Sequence, residues 1–489
     1  MSAPLILICL ISYSALIFAV SWLSSRKADN ETYFIGNRQS PWFVVAYGMI
    51  GASLSGVTFM SVPGEVFNSS WAYMQVAFGY FLGYIAIVFI LMPVYYKLNL
   101  TSIYTYLEKR FGNTSYKTGS LFFIVSRLIG ASLRMFIVVY VLHTFVLAQF
   151  NIPFWTVIVI FIILIFLYTY KGGVKAVVWT DTLQTTFMML ALVYSIYIIC
   201  KQMGTSFHDM LGTIINSSHS KIFNGDLKSS SYFLKSILGG AAITFSMTGL
   251  DQEMMQKNIS CKNLKEASKN MLSFSVVVVF VNFVFLILGT VLCIYAKQKG
   301  IVVDPKHTDQ LFPLIALNYL GVIPSLIFII GLISAAYPSA DGALTALTTV
   351  FCFDFLGIDK KTNLNQKQKK RIRYIVHCSF ATLMLLIILI FKAINKQSVI
   401  SGLLYAATFT YGPLLGLYAF GLFTDYKVKD KLVPIICIIA PVLCYFISHF
   451  SERLFNGYNF GLELLILNGL ITFAGLFLLK KRLNNKIKI

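Results

Sequence analysis

The chain has 489 residues, of which 57% are hydrophobic and 12% are charged, and its mean hydropathy is +0.75. Soluble domains carry charge on about a quarter of their residues, roughly twice this share. The apolar residues stand in long uninterrupted runs, so the composition excludes a soluble enzyme and a soluble nucleic-acid-binding protein. The net charge of +21 would favour a polyanion partner in a soluble chain, but here the basic residues lie in the short segments between the runs.

The apolar runs predict an all-α polytopic membrane protein with about 13 transmembrane helices, because each span needs about 20 such residues. No basic residue precedes the first run and no cleavage site closes it, so we expect a retained helix rather than a signal peptide. The predicted spans are, in chain order, 3–23, 41–66, 72–96, 119–148, 152–170, 177–200, 233–256, 271–296, 310–351, 372–393, 398–422, 432–449 and 459–479.

The distribution of lysine and arginine predicts the orientation of these spans. Alternate connections hold 28 basic residues on one side and 10 on the other, and basic residues concentrate on the cytoplasmic side of a membrane. We therefore expect an external N-terminus, a cytoplasmic C-terminus and a place in the cell inner membrane. The net positive charge is therefore explained by the basic residues on the cytoplasmic side of the membrane, and no nucleic acid is expected as a partner.

Most connections are too short to hold a folded domain, so the chain is expected to form one membrane domain. The longest, near residues 204–232, is rich in Ser, Asn and Gly and is predicted to be an outside loop. Segment 310–351 exceeds one span, and Gly321 and Pro324 are expected to divide it into a short helix and a true span. No phosphate-binding loop motif occurs, which argues against ATP-driven pumping.

Two spans have an unusual content of glycine and hydroxyl residues. The second reads GMIGASLSGVTFMSVPGEVF and the seventh reads LGGAAITFSMTGLDQEMMQ. Broken helices at matching places in two halves of a chain are typical of alternating-access transporters. The alternative for each segment is close helix packing through small residues.

Charged residues within spans are candidates for function, because a bilayer tolerates few of them. Arg127 and Arg134 fall on one helical face. Arg127 is expected to snorkel towards the cytoplasm, whereas Arg134 lies too deep and either binds a substrate carboxylate or pairs with a buried acid. Asp181 is expected to cap a helix with Thr180, with a role in cation passage as the alternative.

A small-residue segment in the ninth span, SAAYPSADGALTALTT, predicts a cation site or a kinked packing helix. Ala335, Pro338 and Ser339 lie on one helical face, and an alkali cation needs oxygen ligands. Pro338 also frees the carbonyl group of Ser334. Asp341 is the acid of this segment.

Four motifs resemble the sodium/solute symporter family, which includes sodium-coupled sugar, proline, sialic acid, iodide and monocarboxylate transporters. They are GASLSGVTFMSVPGEVF, LMPVYYKLNLTSIYTYLEKRFG, GGVKAVVWTDTLQ and GLDQEMMQKNIS, and the resemblance extends over roughly residues 20 to 425. It implies the LeuT-type fold with two inverted five-helix repeats. The expected divisions are residues 1–40 (first helix and cytoplasmic link), 41–203 (first repeat), 204–231 (outside loop), 232–425 (second repeat) and 426–489 (two final helices and a basic tail).

The resemblance also implies ligands, position by position. The main sodium site would use Gly51, Leu54, Ala335, Pro338 and Ser339. The substrate contacts would be Ser53, Ser55, Thr58, Gln75 and Arg134, of which the arginine matches one that holds the substrate carboxylate in sialic acid transporters. Some members bind a second sodium through an aspartate at position 181 with polar residues at 338, 341 and 342.

This sequence departs from the family at two of these positions. Pro338 and Gly342 stand where the family usually has serines, so two hydroxyl ligands are missing and the second sodium site is expected to be lost. A proton-coupled carrier, with Asp341 or Asp181 carrying the proton, or an uncoupled carrier of the same fold is therefore the alternative to sodium coupling.

These observations together predict a secondary active transporter and not an enzyme. We expect sodium-coupled symport of a small polar solute, possible classes being an organic anion such as sialic acid or a monocarboxylate, or a sugar. No cofactor is expected besides the coupling sodium, and the chain is expected to work as a monomer. An intramembrane enzyme would need clustered His, Asp or Glu at one membrane face, and a sensor would need a signalling domain. The sequence indicates neither feature.

Overall fold

The computed structural model describes residues 3–25, 40–100, 102–358, 360–361, 363–394 and 399–481, and most of these are helical. Residues 26–39 of the predicted cytoplasmic link and residues 482–489 of the basic tail lie outside the described residues. Two short strands, β1 (Lys427–Val428) and β2 (Lys480–Lys481), pair in antiparallel orientation.

The helices are defined here with a π turn included at the end of α6, α9 and α13 and within α4. In chain order they are α1 (Ala3–Ser25), α2 (Trp42–Ser53), α3 (Gly56–Ser69), α4 (Tyr73–Lys97), α5 (Thr105–Arg110), α6 (Asn113–Leu147), α7 (Phe154–Gln202), α8 (Phe207–Ile215), α9 (Phe233–Gly249), α10 (Gln252–Ile259), α11 (Leu264–Lys299), α12 (Leu311–Asn318), α13 (Val322–Phe355), α14 (Gln366–Ile394), α15 (Val399–Thr410), α16 (Gly412–Phe423), α17 (Asp430–His449), α18 (Ser451–Leu454) and α19 (Leu464–Leu478).

Within the described residues, seven helices are long and apolar enough to cross a membrane, and three bent helix pairs raise this number to ten. Three shorter apolar helices, Ile8–Leu23, Phe154–Leu167 and Leu464–Leu478, coincide with the remaining predicted spans. The protein is therefore a mostly helical membrane protein, and the count of thirteen spans stays a prediction.

The fifth and sixth predicted spans lie in one helical stretch, α7. Ring contacts place both of its halves beside the same two tyrosines. Phe187 lies 5.5 Å from Tyr13, and Tyr13 lies 6.4 Å from Tyr337. Tyr337 in turn lies 5.8 Å from Phe161. A straight helix would hold Phe161 and Phe187 about 39 Å apart, so the chain reverses its direction between them.

The segment predicted to be too long for one span is divided as expected. The helix α12 ends at Asn318 and α13 begins at Val322, with Gly321 between them at φ 93°. This positive φ favours glycine, because a side chain there would be strained. The short helix α12 therefore stands apart from the spanning helix α13.

Three spans are broken. The first broken helix (α2 and α3) bends by 59° and the second broken helix (α9 and α10) by 65°, which confirms the interruptions predicted from glycine content. A third broken helix (α15 and α16), which the sequence analysis treated as one continuous span, bends by 44°. Its cause is Pro413, which cannot donate a backbone hydrogen bond. The amide of Asn468 donates instead to the Thr408 and Phe409 carbonyl oxygens, at 2.9 and 3.1 Å.

Small residues let the helices around the broken spans approach closely. Gly79 of α4 and Gly240 of α9 face each other's backbone, and a β-carbon on either residue would overlap it. Such contacts are the usual basis of helix association in membranes. These contacts hold the second broken helix against α4.

Candidate functional site

The first broken helix interrupts the helical hydrogen bonding of its span at Leu54 and Ser55. Leu54 closes α2 by donating its amide to the Ile50 carbonyl oxygen at 2.7 Å, and Ser55 adopts an extended conformation before α3 begins. No described side chain donates a hydrogen bond to a carbonyl group at this break. Such groups are tolerated at membrane depth where they line a cavity or are covered by protein, so this break is suited to ligand binding.

A cavity of about 710 Å³, including its mouth, adjoins this break. The lining comes from the first and second broken helices, from α4, α6 and α11, and from α15 of the third broken helix. Its polar side chains are Ser53, Ser55, Thr58, Tyr73, Tyr80, Tyr84, Arg127, Arg134, Thr244, Thr248 and Asn282.

Four of the five predicted substrate contacts lie in this cavity. Ser53, Ser55 and Thr58 line it from the first broken helix, and Arg134 lines it from α6. Gln75 is fully buried in α4 and is not part of the lining, and its amide has no partner among the described residues. The structure thus brings four candidates together and sets Gln75 apart.

Arg134 is buried and has no acidic partner among the described residues. Only 8% of the residue is exposed, its Nε atom has no hydrogen-bond partner, and it forms no salt bridge with any described carboxylate. A guanidinium in a membrane interior is costly unless it is paired. The arginine therefore offers a charge and a planar set of donors to whatever occupies the cavity.

Arg127, on the same helix, is paired, and the expectation that it snorkels to the cytoplasm is wrong. It is 4% exposed and forms salt bridges with Glu253 and, at 3.6 Å, with Asp251. Asp251 caps α10, the second part of the second broken helix, and Glu253 lies in its first turn. Every residue of α10 is buried. The two arginines therefore share a face and a cavity but differ in their partners.

The acidic side chains around Arg127 continue into a buried ion-pair network. The Lys257 Nζ atom lies 2.7 Å from Oδ2 of Asp181 and 3.2 Å from Oε1 of Glu253. The network therefore connects Asp181 on α7, through Lys257 and Glu253 on α10, to Arg127 on α6. Its members are at most 4% exposed.

Two further expectations are corrected by this network. The Asp181 carboxylate pairs with Lys257 instead of accepting hydrogen bonds from the amides at a helix N-terminus, so it is not a helix cap. Lys257 lies just beyond the predicted seventh span (233–256), which places it in a connection, but α10 continues to Ile259 and buries it. The cause in both cases is the tertiary contact between α7 and α10, which local patterns do not reveal.

The candidates for the main sodium site lie on two helices that pack together. The first break carries two of them and α13, which packs against α2, carries the other three; they are Gly51, Leu54, Ala335, Pro338 and Ser339. The hydroxyl of Ser339 is buried and has no partner among the described residues. Sodium is a hard cation that prefers such oxygen ligands.

A hydroxyl that the sequence analysis missed lies beside this group. Thr185 of α7 faces Gly51 so closely that a β-carbon on the glycine would overlap its Oγ1 atom. This Oγ1 atom has no hydrogen-bond partner among the described residues. Thr185 stands four residues after Asp181, on the same face of α7, and is a further candidate oxygen ligand.

The absence of a side chain at Gly342 has a structural consequence. A β-carbon there would overlap the carboxylate of Glu253, so the glycine makes room for that acid. The neighbouring Asp341 is fully buried, and its carboxylate accepts a hydrogen bond from the Gly342 amide. A carboxylate thus lies where a serine hydroxyl was expected from the family.

The second broken helix is stabilised by protein groups at its break. The hydroxyl groups of Tyr95 and Tyr104 donate to the carbonyl oxygens of Gly249 and Leu250, at 2.8 and 2.7 Å. The Asp251 carboxylate caps α10 by accepting hydrogen bonds from its first amides. Both tyrosines belong to the motif LMPVYYKLNLTSIYTYLEKRFG, which therefore has a direct role in holding this break.

The sequence contained a signal for the missed acids. Asp251 and Glu253 lie within the predicted seventh span, and acids inside a span are expected to pair or to function. Applying the rule that drew attention to Arg127 and Arg134 would have identified them as partners. Lys257 lies one residue beyond the predicted span, where local patterns indicate a connection.

Comparisons with known proteins show which family the chain matches. A sequence profile of the sodium:solute symporter family matches residues 33–428. The sodium/sialic acid symporter of Aliivibrio fischeri is 24% identical over 447 residues, which cover 89% of this chain and 86% of that protein. The sodium/iodide cotransporter of Homo sapiens is 25% identical over 423 residues, which cover 80% of this chain and 61% of that protein. These proteins are transporters and not enzymes.

The fold is similar to that of a solved transporter. The substrate-bound, outward-open structure of a sodium-coupled sialic acid symporter superimposes with a TM-score of 0.82. The likeness covers 98% of this chain and 99% of that one, at 20% sequence identity. The fold is therefore that of a LeuT-like membrane transporter.

Proposed function

The chain belongs to the sodium:solute symporter family, and on this premise we propose that it takes up a small organic anion together with sodium. Sodium-coupled symport of a small solute is the activity that the family and the relatives support. The class of solute is the new element, and it rests on the cavity. The relatives named for sialic acid are consistent with an anionic solute.

The observation that carries the proposal is the unpaired guanidinium of Arg134. It lines the cavity and forms no salt bridge with a described carboxylate, whereas Arg127 beside it is neutralised by Glu253 and Asp251. A carboxylate of the solute would complete the missing pair with two parallel hydrogen bonds. Ser53, Ser55 and Thr58 would contact the polar remainder of the solute, while Gln75 would act indirectly through α4.

We place the main coupling sodium at the first break and α13. Its ligands would be the carbonyl groups of Gly51, Leu54 and Ala335, the carbonyl of Pro338 and the hydroxyl of Ser339. The unpartnered Ser339 hydroxyl supports this placement. Sodium bound here would hold α2 against α13 and favour the outward-open state, and solute binding would then favour the inward-open state.

The transport cycle implies a topology for the whole chain. We propose thirteen spans, of which the second to sixth (within 41–203) and the seventh to eleventh (within 232–425) form two inverted repeats. Residues 1–40 would add a first helix, 204–231 an outside loop, and 426–489 two final helices with a cytoplasmic tail. The N-terminus would lie outside the cell inner membrane, and the protein would work as a monomer surrounded by lipid.

One alternative has specific support. Pro338 and Gly342 remove two hydroxyl groups from the ion-binding region, and Asp341 is a buried acid beside them. A proton-coupled carrier using Asp341 or Asp181, or an uncoupled carrier, would retain the same fold and the same anion site. Such a protein would respond to the anion but not to sodium.

Thermal unfolding of the purified protein tests the proposal. A ligand that binds the native state raises apparent stability by RT ln(1 + [L]/Kd). Sodium chloride is expected to stabilise the protein where potassium and choline chloride do not, and sialic acid or a monocarboxylate is expected to add a second, saturable shift. Stabilisation by a neutral sugar alone would contradict the anion class, and stabilisation by an anion without sodium dependence would favour the alternative carrier.

A further inference from the structure

Among the described residues, the buried ion-pair network contains more acidic than basic groups. Three carboxylates and two cations are in direct contact, and a fourth carboxylate belongs to the residue next to Gly342, which faces Glu253; each is at most 4% exposed. The carboxylates are those of Asp181, Asp251, Glu253 and Asp341, and the cations are Arg127 and Lys257. An ionised group in a low-dielectric interior is costly unless it is neutralised, so the position of each cation determines where another cation can bind.

Lys257 has the geometry of a bound cation. Its ammonium group lies 2.7 Å from Asp181 on α7 and 3.2 Å from Glu253 on α10, and all three side chains are buried. A lysine ammonium is a compact point charge with three donors. It therefore supplies to these two carboxylates what a sodium ion between them would supply.

The residue at position 342 completes this arrangement. Gly342 has no side chain, and the Glu253 carboxylate occupies the space that a β-carbon would need. The region beside Asp181 thus offers a second carboxylate and an internal ammonium, rather than neutral hydroxyl groups. Such a set binds no additional sodium while the ammonium is in place, because the two cations would repel each other at contact distance.

We infer that Lys257 is a tethered cation that fills the ion site at Asp181, so that the transporter binds one coupling sodium and not two. This inference rests on the proposed sodium coupling, and it locates that sodium at the first break. It also means that Asp181 binds neither a second sodium nor a transported proton. The tethered charge returns with the protein in each cycle and takes nothing from the sodium gradient.

The experiment counts sodium ions by thermal unfolding and tests the site by removing the ammonium. At concentrations above Kd, the free energy of stabilisation rises by RT for each unit of ln[Na⁺] per bound ion. With choline holding the ionic strength constant, the wild-type protein is expected to show the slope of one ion. Lys257→Gln is expected to show the slope of two, because the Asp181 and Glu253 carboxylates then need another cation. Lys262→Gln, which changes an exposed lysine of the same segment, should retain a slope of one.

Asp181→Asn provides a second variant if Lys257→Gln does not fold. The sodium slope of one ion should remain, since Asp181 is not a sodium ligand. A wild-type slope of two, an unchanged slope in Lys257→Gln, or a lost slope in Asp181→Asn would each overturn the inference. A wild type without sodium dependence, combined with a slope of one in Lys257→Gln, would refute the proposed sodium coupling and leave the tethered cation intact. Absence of sodium dependence in both proteins would overturn both.

Discussion

The first and second broken helices bend by similar angles, 59° and 65°, but differ in what surrounds their breaks. At the first break, no described side chain donates to the freed carbonyl groups, and the break lines a cavity. At the second break, Tyr95 and Tyr104 donate to the freed carbonyl oxygens and Asp251 caps the following helix. The two breaks therefore resemble each other in sequence and bend angle but differ in the groups that surround their carbonyl oxygens.

The difference indicates how the two breaks contribute to transport. Groups left unpaired at the first break are available to an ion and a solute, so binding energy acts there. The second break is already satisfied by protein, and its ion pairs connect α6, α7 and α10. Tyr411, at the break of the third broken helix, also donates to Asp251 at 3.3 Å. The second break is therefore stabilised by protein contacts. Substitutions there should lower the stability of the protein, whereas substitutions at the first break should weaken the binding of sodium or solute.

The largest effect is expected when the ion pairs of the second break are disrupted. Glu253→Gln would leave Arg127 and Lys257 with fewer compensating charges in a buried site. Breaking a buried pair by removing one partner costs about 3–5 kcal/mol. We expect a strong fall in the temperature of thermal unfolding in detergent. Glu452→Gln, which changes an exposed acid, serves as the control and should leave that temperature within a degree or two. A Glu253→Gln protein as stable as this control would show that the second break is not braced by charge.

A smaller but more specific effect is expected from Arg134→Lys, on the side of the first break. Lysine keeps the positive charge but loses the planar pair of donors. Hydrogen bonds to charged groups contribute about 1.5–3 kcal/mol, so uptake of an anionic solute into proteoliposomes should weaken by about ten- to a hundredfold in apparent affinity. The sodium concentration for half-maximal stabilisation should change little. Equal weakening of sodium and solute binding would instead assign Arg134 a structural role.

The sequence predicted the fold and much of the first break, because these depend on local composition. Runs of apolar residues mark spans, and glycine with hydroxyl residues marks the break at Leu54. The second break was located, but its stabilisation was not foreseen, because Tyr104 and Leu250 are separated by 146 residues. The pairing of Lys257 with Asp181 depends on a similar long-range contact. Motif resemblance did include these residues, although it did not reveal their partners.

A paired substitution separates the two breaks at the level of single hydrogen bonds. Tyr104→Phe removes the donor to the Leu250 carbonyl oxygen and should lower stability by about 1 kcal/mol. Ser53→Ala removes a hydroxyl that lines the cavity and should weaken solute binding with little loss of stability. Thermal unfolding and solute titration on each variant measure both quantities. Tyr405→Phe, at a half-exposed tyrosine, is the control for the first variant. If Tyr104→Phe and Ser53→Ala both lowered stability, or both weakened solute binding, the two breaks would not differ in function.

The smallest effect is expected from Ser339→Ala, which tests the ion at the first break. A single neutral oxygen is one ligand among several, so the sodium concentration for half-maximal uptake should rise by roughly threefold to tenfold, corresponding to about 0.6–1.4 kcal/mol. Thr349→Val is the matched control on α13, because its hydroxyl already bonds to the Thr345 carbonyl oxygen. An unchanged sodium dependence in Ser339→Ala would remove this hydroxyl from the site. Thr185, whose hydroxyl faces Gly51 from α7 and has no partner among the described residues, would then be the next candidate sodium ligand, and Thr185→Val should produce the shift that Ser339→Ala did not.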